Sequence, residues 1–322
     1  MLRFVLRRLG SSVLLLFFVL TATFFLIHLA PGEPLRLFDN PRMSEDKRDE
    51  LRQLYGLDRP VAEQYLDWLA AVLRGDWGYS LSFERPTFDI LMERLPNTAL
   101  LVLAAVTIEH VLGVLLGLLA AMRAGTFIDR QIRIVSLLLF SVPIFCLALL
   151  AIELLAVRWA IFPINQMRSD GADQWPPLAQ LIDLLHHLAL PSLVLGIARC
   201  GAVVRFVRNG LLEVLRQDYI RTAYAKGLTT GRVLCVHALR NSLIPLVQRF
   251  GVALPILLSG SLIVEVLFSW PGLGQTSVQA IQQRDYPMVL ATTALSGCMV
   301  VVGNLLADLL QAWLDPRVRD AI

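Results

Sequence analysis

The chain has 322 residues, 56% of them hydrophobic and 17% charged, with a formal net charge of +3 and a mean hydropathy of +0.62. That balance excludes an ordinary soluble domain and fits a chain that crosses a membrane several times. No polybasic run points to nucleic acid. The only lysines, Lys47 and Lys226, lack the Gly-Lys-Ser/Thr context of a phosphate-binding loop, which excludes a P-loop ATPase.

Six segments are long and apolar enough to cross a hydrocarbon core of about 30 Å, which takes about 20 residues. They are roughly Leu9–Leu29, Asn97–Met122, Ile134–Val157, Leu188–Val207, Leu243–Leu267 and Met288–Leu314. The first follows Arg3, Arg7 and Arg8 but is too long for a signal peptide. No small-x-small cleavage site follows it, so it is expected to be retained. The segment from Pro31 to Pro96 is the largest piece expected outside the membrane. Ser44, Glu45 and Asp46 read as a helix start and Gly56 as its stop. A second helix opens at Asp58-Arg59-Pro60, carries Val61, Tyr65, Trp68, Leu69, Val72 and Leu73 on one face, and ends at Gly75. Two readings of this hairpin stand side by side: an amphipathic piece resting at the membrane interface through Tyr65, Trp68 and Trp77, or a docking surface for a substrate-delivery protein.

Arg123, Arg130 and Arg133 flank the connection after the second span, and Arg317 and Arg319 lie in the tail. With the N-terminal arginines they place both termini, this connection and the one after the fourth span in the cytoplasm. Residues 269–287 hold only Arg284 as a base and are expected outside. Pro143, Pro191, Pro245 and Pro255 are candidate bend points. Gly113 and Gly117 form a small-xxx-small face for close helix packing. Cys146, Cys200, Cys235 and Cys298 are isolated and read as packing residues.

Ionisable residues inside spans carry more information than the prolines. Glu109 and His110 fall in the second span, Arg199 in the fourth, Glu153, Glu265 and Asp308 near span ends. The last three can be solvated. Glu109 and Arg199 lie deeper, and either form an ion pair or line a path; Glu265 is kept with them as a candidate. No His/Cys/Asp/Glu cluster has metal-ligand spacing, and His186-His187 reads as interfacial.

The most distinctive segment is the polar interruption from Arg205 to Asn241, too long and too regular for a simple turn. One short helix is expected through Leu211, Leu212, Leu215, Tyr219, Thr222 and Ala223, ending at Lys226-Gly227. Thr229 or Thr230 caps a second through Val233, Val236, His237 and Arg240. Seven basic residues against Glu213 and Asp218 place this elbow in the cytoplasm.

The string Asp218 to Leu228, followed by His237-Ala238-Leu239-Arg240-Asn241, resembles the cytoplasmic "EAA" loop of ATP-binding-cassette (ABC) importer permeases. Ala223, Gly227 and Leu239 match the family's general pattern, while Arg221, Thr222, His237 and Arg240 depart from it. The string is similar to the version in the dipeptide/oligopeptide/nickel branch. The similarity extends to Leu6-Arg7-Arg8, Pro31-Gly32-Glu33-Pro34, Gly75-Asp76-Trp77-Gly78, Phe268 to Gly274, Arg284-Asp285-Tyr286-Pro287 and Asp315-Pro316-Arg317.

The resemblance implies an all-α membrane protein of the type I importer permease fold in a bacterial inner membrane. Its parts are a first segment and span (1–30), an extracytoplasmic helical loop (31–96), a permease core (97–315) carrying the EAA-like loop 205–241, and a cytoplasmic tail (316–322). It implies a second homologous permease, two cytoplasmic ATPases that bind ATP and Mg, an extracytoplasmic solute-binding protein, and peptides, nickel or another small solute as cargo. No cofactor or catalytic residue is expected in this chain. The implied coupling residues are Tyr219, Arg221, Thr222, Ala223, Lys226, Gly227, Leu228, His237, Leu239, Arg240 and Asn241. An ion-coupled secondary transporter is the alternative from another class; its inverted repeats are not visible in the sequence. A membrane scaffold or receptor without transport is the third.

Overall fold

The computed structural model describes residues 2–29, 58–80, 82–233 and 261–314. Nearly all of them are helical. Two compact units share the chain: Leu2–Asn97 with Gly272–Val301, and Thr98–Pro271 with Met1 and Val302–Ile322.

In the first unit, α1 (Leu2–Leu29) is followed by α2 (Val61–Leu73), the amphipathic helix expected from the sequence. Tyr65 and Trp68 of α2 do not face a lipid surface alone. They pack on Phe24 of α1, at ring-centroid distances of 5.3 and 5.4 Å, and the Tyr65 hydroxyl lies 2.9 Å from Thr21 Oγ1. Gly75 stops α2 at φ +86°. The amide of Asp76 reaches back to the Ala71 carbonyl and that of Gly75 to Val72, so the last carbonyls are satisfied. A two-residue ribbon, β1 (Tyr79–Ser80) against β2 (Arg85–Pro86), leads into α3 (Thr87–Met122). The helix of the second span thus begins ten residues before the apolar run at Asn97. Asp89, Glu93, Arg94 and Pro96 hide those turns from a hydropathy reading, yet their apolar partners Ile90 and Leu91 are buried with Leu273 and Met288.

Two motifs separated by some 200 residues meet in this unit. The carboxylate of Asp285 is fully buried just before α9 (Tyr286–Leu314). It accepts from Ser80 Oγ (2.5 Å), the Ser82 amide (3.1 Å) and the Met288 amide (3.2 Å), capping α9 and anchoring the ribbon. Beside it, a Cβ placed on Gly78 would stand 3.3 Å from Pro287 Cβ. The short α8 (Leu273–Gln283) completes the unit and contributes Leu273 and Ala280 to its core.

The second unit is built on α6 (Pro177–Val214), 38 residues long and continuous through Pro191. Gly113 and Gly117 of α3 pack against it. A Cβ on Gly113 would fall 2.5 Å from Val203 Cβ, and one on Gly117 2.8 Å from Val207 Cβ, so only glycine admits this approach. The expected continuous third span is broken. α4 (Phe127–Ser141) and α5 (Ile144–Ala151, extended by a π-helical Ile152–Arg158) meet at 102°. Pro143 causes this: it holds Val142 extended (ψ 129°) and leaves no amide to continue the ladder. Among the described residues of both units, four helices are long and apolar enough to cross a membrane, or five if the bent pair is one span. The expected fifth span falls mostly outside the described residues.

Candidate coupling elbow and intramembrane charges

After Val214 the chain leaves α6, turns at Leu215–Gln217 and forms α7 (Asp218–Ala225). The expected first elbow helix is therefore shorter than its apolar stripe. Leu211 and Leu212 are the end of α6, and only the residues from Asp218 form the elbow helix. Gly227 has φ +78°, and the Leu228 amide bonds back to the Ala223 carbonyl at 3.3 Å, which closes α7 as the sequence suggests. A second helical turn, Thr230–Arg232, begins with the Val233 amide on the Thr229 carbonyl. His237, Leu239, Arg240 and Asn241 lie outside the described residues.

α7 has two faces. Ile220 and Ala223 are buried with Val233 against Leu211 of α6 and Leu118 and Ala121 at the end of α3. Ala223, expected on a docking face, is 7% exposed and points into the chain's own core. Its small size is needed where α7 sits on α3 and α6. Tyr219 (44% exposed), Arg221, Thr222, Ala225, Lys226 and Gly227 form the outward face. Arg221 meets Asp218 at 3.3 Å, but both are exposed and the pair adds little. Among the described residues beyond its chain neighbours, nothing lies within 4 Å of a Cβ built on Gly227, so the position is open, and its positive φ would strain a side chain there.

Close to the elbow lies a feature that the sequence reading missed. Asp129, in the first turn of α4, is buried to 1% and takes a two-pronged contact from Arg208 of α6, Nε to Oδ1 at 2.7 Å and Nη2 to Oδ2 at 2.8 Å. The Gly125 amide (3.0 Å) and Arg133 (3.4 Å) complete the shell. In sequence, Asp129 is one acid among three arginines, and Arg208 one of many basic residues near the elbow. Only the fold pairs them.

Glu109 and Arg199 do approach each other, Nε to Oε2 at 3.9 Å, with Glu109 buried. That is an ion-pair distance and not a hydrogen bond. Glu265, expected to be solvated at a span end, is completely buried, and Thr98 Oγ1 donates to it at 2.9 Å. Glu153 is exposed and pairs with Arg158 at 3.0 Å. His187 is buried beside Asp183, whose carboxylate accepts from the Ser169 amide and hydroxyl at 2.9 and 2.7 Å. Among the described residues no group of three His, Cys, Asp or Glu is placed to hold a metal ion.

Comparison with known proteins identifies the family of the chain. Residues 113–320 match the model of the binding-protein-dependent transport system inner membrane component, and residues 1–102 match that of its N-terminal part. The chain is 38% identical over 316 residues to the oligopeptide transport system permease protein AppB of Bacillus subtilis (strain 168), covering 98% of both. It is 36% identical over 336 residues to the dipeptide transport system permease protein DppB of Escherichia coli (strain K12), covering 99% of both. A solved structure of the MetNI methionine ABC transporter in inward-facing conformations shares the fold, with a TM-score of 0.52 at 21% identity, over 74% of this chain and 98% of that one. An all-α chain of the type I permease fold, matched from end to end, this protein belongs to the family of binding-protein-dependent transport system inner membrane components.

Proposed function

We propose that the chain is one permease subunit of an ATP-driven importer of di- and oligopeptides. The observation that carries this is the 36–38% identity over 98–99% of its length to peptide permeases of distant bacteria. A second, homologous permease forms the other half of the pathway. Two cytoplasmic ATPases bind ATP and Mg and carry out hydrolysis, so this subunit is not itself an enzyme. A solute-binding protein delivers the peptide from outside.

The proposed coupling surface is the outward face of the elbow: Tyr219, Arg221, Thr222, Ala225, Lys226 and Gly227; His237, Leu239, Arg240 and Asn241, outside the described residues, are assigned to coupling on the sequence resemblance alone. Closure of the ATPases around ATP pushes this face, and α7 passes the movement to α3 and α6 through the Ile220–Ala223 side. The high arginine content between Arg205 and Arg240 supports a cytoplasmic elbow. Glu109 and Arg199 are either a structural pair or part of the lining that meets charged peptide termini; burial of Glu109 supports the pair.

The test is gentle purification of the intact complex, followed by identification of what co-purifies. Two ATPase subunits, a second permease and a binding protein loaded with short peptides are expected. A complex whose binding protein carries a metal or an amino acid overturns the peptide assignment alone, and recovery of the chain without any ATPase overturns the whole reading.

A further inference from the structure

We propose that Asp129 and Arg208 are positioning residues that make α4 travel with the elbow end of α6 during transport. The inference rests on the coupling role proposed above and concerns which helices move together once the elbow is pushed.

Three of the contacts that join α4 to α6 bear on how the two helices move. The two-pronged Asp129–Arg208 contact, at 2.7 and 2.8 Å, lies at one end. Further along, Gly201 of α6 abuts the Ser136 backbone so closely that any Cβ there would clash. The Arg205 guanidinium lies 5.2 Å from the centroid of the Phe140 ring. The glycine contact resists compression, and the charged fork adds what packing lacks: two parallel hydrogen bonds that resist sliding and rotation. The carboxylate also accepts from the Gly125 amide and lies 3.4 Å from Arg133 Nε, so the loop 123–126 is held in the same clamp.

Beyond α4 the backbone connection is interrupted, and α5 reaches α6 only through its own packing, with Ala148 buried beside Leu188 and Leu195. Val142–Pro143 breaks the backbone ladder, and α5 departs at 102°. Arg208 stands six residues before the end of α6, less than two helical turns from the turn that leads into the elbow helix. On the elbow side, Leu118 and Ala121 of α3 pack with Leu211, Ile220 and Ala223. A push on α7 therefore reaches α6 directly, the end of α3 through this cluster, and α4 through Asp129. The movement is not passed stiffly along the α4 backbone beyond Pro143. The pieces that move as one are the elbow, the elbow ends of α3 and α6, and α4.

The experiment uses the whole complex in lipid vesicles, measuring ATP hydrolysed and labelled dipeptide taken up by the same sample. Uptake by the unsubstituted complex is the separate check on the importer reading. In Asp129→Asn and Arg208→Gln, the ATPases should remain bound and hydrolysis should continue. Dipeptide taken up per ATP should fall roughly tenfold or more, the factor that about 1.4 kcal/mol of lost coupling produces. Exchanging the charges, Asp129→Arg with Arg208→Asp, should restore much of it. Asp129→Cys with Arg208→Cys, in a background without the native cysteines, should regain uptake when a short bis-thiol reagent bridges the two. Unchanged uptake per ATP in the single variants overturns the proposal. So does loss of assembly with hydrolysis and uptake falling in proportion, since that marks a packing role only. A bridge that blocks transport overturns it too, because the clamp would then have to open.

Discussion

At Gly227 the backbone sits at φ +78°, a region a β-branched residue enters only under strain of about 1–2 kcal/mol, while among the described residues beyond its chain neighbours no atom lies within 4 Å of where its Cβ would stand. Gly227→Val therefore strains the elbow and adds bulk on its outward face only. Normal amounts of permease in the membrane are expected, with weakened retention of the ATPases and loss of uptake; Gly227→Asn, which tolerates positive φ, should be milder. Ala223→Asp should fail differently. It puts a carboxylate among Leu211, Ile220 and Val233, so the elbow lifts off its own core and trypsin should cut faster at Lys226 and Arg232. Co-purification of the ATPases together with limited proteolysis separates the two modes; slow cleavage in Ala223→Asp would return Ala223 to the docking face. The glycine was legible in the sequence because only one residue type suits that conformation. The inward direction of Ala223 was not, since an alanine fits equally at a close contact inside the chain or outside it.

Among the elements, α3 and α6 depend on space more than on chemistry. A Cβ on Gly117 would meet Val207 Cβ at 2.8 Å and the Val204 carbonyl at 3.0 Å. Gly117→Leu should force the helices apart and cost at least about 1–3 kcal/mol, read as a lower melting temperature of the detergent-solubilised complex. Gly231→Ala, with nothing within 4 Å, should leave it unchanged. A Gly117→Leu complex that melts normally would remove this crossing from the account. Apolar length and the small-xxx-small spacing made these helices readable. The helix starts at Thr87 and Pro177 were not, because their first turns carry charge or proline, as does the break at Val142–Pro143, where proline predicts a bend but not 102°. The clamps of Asp129, Asp183 and Asp285 escaped for a further reason: each joins segments whose pairing is set by the tertiary fold, and an isolated acid has no periodicity to betray its partner.

For the whole molecule, the arginine distribution predicts that Glu45 and Gln279 lie outside and that Arg130, Thr230 and Arg319 lie inside. Single cysteines at these positions, in a chain without its native four, should be labelled by an impermeant reagent from outside only at the first two. Labelling at Thr230 in sealed cells would invert the topology and detach the elbow from any cytoplasmic partner. The central claim is tested most directly by dipeptide uptake into vesicles holding the purified complex and its binding protein. Uptake should require ATP on the side of the elbow and should be absent when this permease pair is reconstituted alone under a proton or sodium gradient. Uptake driven by an ion gradient, without ATPases or ATP, would contradict the account and make the chain a secondary transporter.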